Sequence, residues 1–298
     1  MASMTTIPAN VPAARRSLEG LALGDAFGER WFPLFRDPGT VYDEILARRV
    51  PEEPHWPWTD DTAMARGIMR VLDEHGEVRQ TPLAGSFASI FMADQARGYG
   101  SGMHELLPQL LEDASAWPAL TRELFGGEGS LGNGAAMRVA PLGAWFSGDL
   151  ERAVEQAELS ARVTHAHPQG VAGAVAVAVA AALSVRGELS MTAVADRTPE
   201  GPVRDGLLRA ADVPLTAAPR QAAELLGSGY RIRADDTVPF ALWTATRHPD
   251  DLEAALWSTA EGLGDVDTTC AITGGIVAAR TGVGAMPGEW LERRESLV

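Results

Sequence analysis

The sequence holds a single cysteine, Cys270, in 298 residues. No intrachain disulfide can form, which excludes a disulfide-stapled secreted scaffold and predicts a reducing cytoplasm. The N-terminal stretch has no apolar signal-peptide core. The longest apolar run, Val171 to Val185, contains Gly173 and Ser184 and falls short of a spanning segment, so a buried central helix is expected there. Positive charge is scarce: 25 Lys and Arg stand against 40 Asp and Glu, a formal net charge of −15. Such a surface speaks against non-specific nucleic-acid or anionic-membrane partners. It leaves room for an anionic small ligand, because bound cations and a few arginines can reverse the field within one cleft. Hairpins, period-2 runs, internal repeats and composition breaks are also missing. The chain is 46% hydrophobic and 22% charged, long enough for a large core. We expect a flexible lead over residues 1–14 and one compact, multi-helix, all-α domain over 15–298.

Two short oxygen-rich stretches lie far apart in the chain: Trp58-Thr59-Asp60-Asp61-Thr62 and Asp265-Val266-Asp267-Thr268. Each precedes an apolar, small-residue run that reads as a helix. Carboxylate and hydroxyl oxygens are the ligands of hard divalent cations such as Mg²⁺. Asp265 and Asp267 leave the same face of an extended segment, so they suit one ion. Asp60 and Asp61 diverge, so they suit two ions, or one ion and the helix end behind them. Thr59 and Thr268 add neutral oxygens. Helix N-capping competes with this reading, but a cap needs one side-chain oxygen and these stretches supply several. We expect the two stretches to meet and line a dinuclear metal cleft.

Gly20, Gly24 and Gly28, four residues apart in a helix over Ser17 to Trp31, line up bare backbone on one face. Each glycine costs the helix roughly 1 kcal/mol relative to alanine, so another backbone or a ligand is expected against that face. Asp25 and Glu29 flank the groove. Phe32 to Pro57 reads as irregular. Asp94 to Gly102 is a glycine-rich loop, and Gly126 to Gly134 is a second. The second contains a formal G-x-G-x-x-G over 127–132, but no strand precedes it and no P-loop lysine follows, which excludes a dinucleotide fold. Leading into a helix over Ala135 to Phe146, it can still offer backbone N–H groups to a phosphate. His165 and His167 have no cysteine partner and suit a turn or a ligand wall better than zinc. Arg97 and Arg138 suit an anionic ligand or a salt bridge equally. Residues 187–236 read as weaker helical stretches with little site chemistry.

Together these stretches resemble the ADP-ribosylglycohydrolase family. The resemblance is carried by Gly20 to Gly28, Trp58 to Thr62, Arg97 to Gly102, Gly132-Asn133-Gly134-Ala135-Ala136-Met137-Arg138, Thr164 to Pro168 and Asp265 to Thr268, in the family's order over about 18–282. It implies an all-α fold with two Mg²⁺, or Mn²⁺, held by Thr59, Asp60, Asp61, Asp265, Asp267 and Thr268. It implies a substrate wall of Ser130, Leu131, Gly132 and Asn133 for diphosphate and ribose, with Gly98, Tyr99, Gly100, Gly102 and His165 holding the rest of ADP-ribose. Family members often carry a metal-site glutamate seven residues after the first-motif aspartate; this chain has Phe32 there. Glu29, one turn earlier, is the first candidate for the catalytic carboxylate, with Asp25 and Asp94 as alternatives. The implied reaction releases ADP-ribose from an ADP-ribosylated protein, most simply at arginine, or from a small acceptor. An inactive ADP-ribose binder, a dimetal phosphohydrolase and a site-free helical scaffold are the rival readings.

Overall fold

The computed structural model describes residues 9–32 and 37–297. Sixteen α-helices fill it: α1 Val11–Glu29, α2 Pro38–Leu46, α3 Asp60–His75, α4 Gln80–Ala93, α5 Ser101–Glu112, α6 Trp117–Glu123, α7 Ala140–Trp145, α8 Leu150–Arg162, α9 Pro168–Arg186, α10 Met191–Ala195, α11 Pro202–Asp212, α12 Pro219–Leu226, α13 Ala234–Arg247, α14 Leu252–Ala260, α15 Val266–Thr281 and α16 Gly288–Arg293. No strand occurs among the described residues; two isolated bridges, Trp56 with Arg294 and Gly132 with Arg233, are the nearest approach to one.

α1 starts earlier than its sequence suggests, inside the stretch expected to be a flexible lead. Asn10 caps it by accepting from the Ala13 amide at 3.3 Å, and a proline occupies the first turn. The rest of that expected lead, residues 1–8, lies outside the described residues. α2 likewise interrupts the stretch read as irregular, capped by Asp37 on the Thr40 amide.

The centre of the molecule is the pair α1 and α15, and the glycine stripe is what lets them touch. A Cβ on Gly28 would meet the Val266 carbonyl oxygen at 2.5 Å and Asp267 Cα at 2.6 Å. A Cβ on Gly24 would run into the Cys270 carbonyl. Gly274 of α15 faces Gly20 in the same way. The partner of the groove is therefore a helix backbone, and the contact carries the C-terminal end of α1 up to the first turn of α15. Replacing Gly24 with alanine should cost about 3 kcal/mol, because overpacking here meets backbone that cannot rotate away. Gly85→Ala in α4 should instead stabilise by about 1 kcal/mol. Its Cβ would meet only the Ala114 Cβ, at 3.6 Å. Chemical denaturation of the two variants should move the midpoint in opposite directions.

α9 runs through the interior, with Gly170 to Ser184 all buried. It has the length and apolarity of a membrane span, more than its sequence interruptions suggested, and the protein wraps most of it. Its alternating Ala and Val side chains let α7, α8, α13 and α15 pack against it. At one end of α1, Phe27, Trp31, Trp56, Trp257 and Trp290 form a buried aromatic cluster. Phe27 stacks on Trp290 at 4.6 Å between ring centroids and meets Trp257 edge-on at 5.0 Å. This fastens α16 and the residues after it to the Trp56 segment. The Trp56 amide donates to the Arg293 carbonyl, and the Glu295 amide donates back to the Trp56 carbonyl.

Candidate active site

The first acidic stretch is the N-terminus of α3. Thr59 is the N-cap residue, and Asp60 and Asp61 form the first turn. Asp25 of α1 fixes this turn from behind. It accepts from the Thr59 amide and hydroxyl at 3.0 and 2.9 Å, and from the Thr62 amide and hydroxyl at 3.1 and 2.5 Å. Asp25 is fully buried and is not on the cleft wall. Burial, with the Asp267 charge, pushes its carboxyl up to about 7 against those donated bonds. It is a positioning group for α3, not a proton donor within reach of a ligand.

The second stretch is the N-terminus of α15. Asp265 stands at the N-cap position yet makes no side-chain cap bond. Its carboxylate instead accepts from Asn133 Nδ2 at 2.6 Å. The capping reading therefore fails for Asp265 and covers only Thr59, whose hydroxyl meets the Asp61 amide at 3.4 Å. Asp267 lies one residue into α15, against Gly28 of α1.

Both stretches open onto one cleft of about 970 Å³, within the size range of small-ligand sites. Thr59, Asp60, Asp61, Asp265, Asp267 and Thr268 all line it, as does Glu29 at the end of α1. Burial first, and then the charges of Asp25 and Asp267, lift Asp60 and Asp61 well above the ordinary carboxylate range, and burial with the Asp267 charge does the same for Asp265. Among the described residues no three acidic, His or Cys side chains are already gathered as an ion cage. The donor set nevertheless fits a hard cation: Asp61 Oδ1 and Asp267 Oδ1 are buried acceptors with no hydrogen-bond donor. A carboxylate oxygen that is buried without a donor lacks the partner that a positive charge would supply.

The glycine loops form the other walls. Gly98, Gly100 and Gly102 line the cleft; Tyr99 does not. Its ring turns inward to pack edge-on against Phe91, at 4.9 Å. Ser130, Leu131, Gly132, Asn133 and His165 all reach the cleft. Asp94 is exposed at the rim and ion-paired with Arg97 at 2.8 Å. Arg97 also forks onto Glu295, at 2.6 and 2.8 Å, and lies 3.8 Å over the Trp58 ring. Its carbonyl accepts from the Asp60 amide at 2.8 Å. Arg97 thus resolves as a structural tie between the C-terminal segment and the first acidic stretch. Arg138 lines the cleft from a fully buried position, 4.4 Å from the Phe87 ring centroid.

One wall comes from a stretch expected to carry little site chemistry. Ile232 and Arg233 line the cleft. The Ile232 carbonyl accepts from the Asn133 amide at 3.3 Å, and the Ser228 carbonyl accepts from the Asp265 amide at 3.0 Å. A Cβ on Gly229 would meet that of Asp265 at 2.5 Å. The Gly227-Ser228-Gly229 cluster was the available signal: two glycines with positive φ around a serine mark a loop that another segment approaches closely.

Fold and cleft together define an all-helical protein with a carboxylate-lined cleft. The ADP-ribosylglycohydrolase family matches residues 9–297, and the chain belongs to that family, hydrolases of glycosidic bonds to ADP-ribose. Human ADP-ribosylhydrolase ARH3 is 30% identical, across 94% of this chain and 88% of its own length. ADP-ribosylarginine hydrolase Tri1 of Pseudomonas putida is 25% identical, across 94% and 73%. A solved structure titled ADP-ribosylglycohydrolase-related protein complex shares the fold, with a TM-score of 0.64 over 97% of this chain and 94% of its own at 24% identity.

Proposed function

We propose that the cleft hydrolyses the bond between ADP-ribose and an arginine side chain, with Mg²⁺ as the working cation. The single observation behind this is the convergence of two acidic helix N-termini on one cleft, with donorless buried oxygens on Asp61 and Asp267. Thr59, Asp60, Asp61, Asp265, Asp267 and Thr268 would hold two Mg²⁺, or Mn²⁺ in their place. Bound there, the cations supply a template for ribose hydroxyls and a means of acidifying water. The chain's own groups do the rest. Asn133 and the Ser130 to Gly132 backbone orient the ribose and diphosphate. Glu29 moves a proton near the anomeric carbon as the bond opens through an oxocarbenium-like state. Glu29 suits that role because it is half-buried and on the cleft wall, with burial and the Asp267 charge pushing it up to about 7. An arginine leaving group, cationic and planar, suits a mouth that carries Glu29 and Glu128. The buried, unpaired Cys270 accords with a reducing cytoplasm.

Product analysis tests this. ADP-ribosyl-arginine, ADP-ribosyl-serine and O-acetyl-ADP-ribose are incubated with Mg²⁺ and then with chelator. Intact ADP-ribose released from the arginine substrate, only with metal, is the expected result. Release of AMP or phosphate would point to attack at phosphorus instead. Turnover confined to the serine or acetyl substrate would overturn the arginine assignment.

A further inference from the structure

Arg138 has no role so far, and its surroundings give it one. Its Nη2 donates to Thr164 Oγ1 at 2.8 Å and to the Ser160 carbonyl at 3.3 Å. Thr164 Oγ1 in turn lies 2.7 Å from His165 Nδ1. A guanidinium has only donors to give, so Thr164 accepts from it. The Thr164 hydroxyl hydrogen then needs an acceptor, and His165 Nδ1 is the only one within hydrogen-bond distance among the described residues. A ring nitrogen that accepts carries no proton, so in the neutral ring the proton is on Nε2. That nitrogen sits over the glycine loop: it is 3.2 Å from where a Gly134 Cβ would stand and 3.7 Å from a Gly132 Cβ. It makes no hydrogen bond to the described chain, and His165 is on the cleft wall.

We propose that Arg138 is a positioning residue: through Thr164 it fixes His165 as the Nε2–H tautomer, so that the loop wall presents a permanent hydrogen-bond donor to an oxygen of the bound ADP-ribose. The ligand half of this rests on the function proposed above; the tautomer does not. Burial, with the Arg138 charge second, pushes His165 down to about 3, which keeps the ring neutral. The direction of the relay is fixed by chemistry at each link: arginine can only donate, the hydroxyl passes one hydrogen on, and the imidazole receives it.

Long-range ¹H–¹⁵N spectra of the labelled full-length protein read the tautomer directly, with the His165 signals assigned by their loss in His165→Gln. In the ligand-free wild type the proton should be on Nε2, with Nδ1 a hydrogen-bonded acceptor. Thr164→Val and Arg138→Met should each loosen that bond and bring in the Nδ1–H form. ADP-ribose affinity should weaken about tenfold, as for one lost hydrogen bond. Thr164→Ser, which keeps the hydroxyl, should restore both readouts. Thr164→Val keeps the test decisive if Arg138→Met does not fold. A proton on Nδ1 in the wild type overturns the proposal, as does a Thr164→Val protein with wild-type His165 signals and affinity. If wild type fails to bind ADP-ribose, the function reading falls while the spectrum still decides the tautomer.

Discussion

Glu29→Gln should lower the rate of ADP-ribose release by roughly 10²–10⁴, the usual effect of losing a general acid or base. Mg²⁺ affinity, read by calorimetry, should stay near that of the wild type, because Glu29 is outside the proposed ligand set. The expectation rests on what distinguishes this carboxylate from its neighbours. Asp94 and Glu295 are committed to Arg97. Asp25 is held by two threonines behind the cleft. Glu128 is exposed. Outside the proposed metal ligands, Glu29 alone is half-buried on the cleft wall with no salt bridge among the described residues, beside Phe32 and within the influence of Asp267. Asp94→Asn should leave turnover nearly unchanged. An inactive Asp94→Asn beside an active Glu29→Gln would move the proton-transfer role to the rim.

Asp267→Asn should remove measurable Mg²⁺ binding and lower turnover on the order of 10²–10³, as expected when a group that organises charge in an active site is lost. Its effect on the metal-free protein should have the opposite sign. Asp267 raises the carboxyls of Asp25, Glu29, Asp60, Asp61 and Asp265 by its charge. Groups with raised folded pKa values contribute stability that is present in full below the unfolded value and lost as pH climbs through the folded one. For Asp25 that window runs from 3.8 to about 7. In chelator, wild-type melting temperature should therefore fall as pH rises from about 4 through 7. Asp267→Asn should melt higher than the wild type at the top of that range. Added Mg²⁺ should reverse the order. A metal-free wild type whose stability is flat across this range would show that the carboxylates do not repel one another as their burial implies.

The part of the site legible in the sequence was the part written locally. Asp60 and Asp61, or Asp265 and Asp267, announce ligand chemistry by lying within a few residues of each other, and the glycines at 20, 24 and 28 share one helix face by period alone. What covered that face was not legible, because the covering backbone of α15 lies far down the chain. The same limit hid the true work of Asp25, which is defined by four donors from Thr59 and Thr62. It also hid the wall made by Ile232 and Arg233, since nothing in their own neighbourhood refers to Asn133 or Asp265. Tyr99 misled for a related reason: a motif places a residue in a loop, but packing against Phe91 decides which way it faces. The start of α1, by contrast, is written locally: Asn10 and the proline after Val11 are ordinary helix-start signals.

The pairing of α1 with α15 also sets a timetable for synthesis. α1 precedes α15 in the chain, yet roughly 240 residues separate them. At about 5–20 residues per second, the glycine face of α1 waits on the order of 10–50 s for its cover. During that interval Asp25 can already fasten the first turn of α3, which follows soon after. The second half of the cleft can form only once α15 has left the ribosome. A nascent chain thus carries an uncovered apolar helix for most of its synthesis, the kind of surface that is exposed to aggregation until its cover arrives.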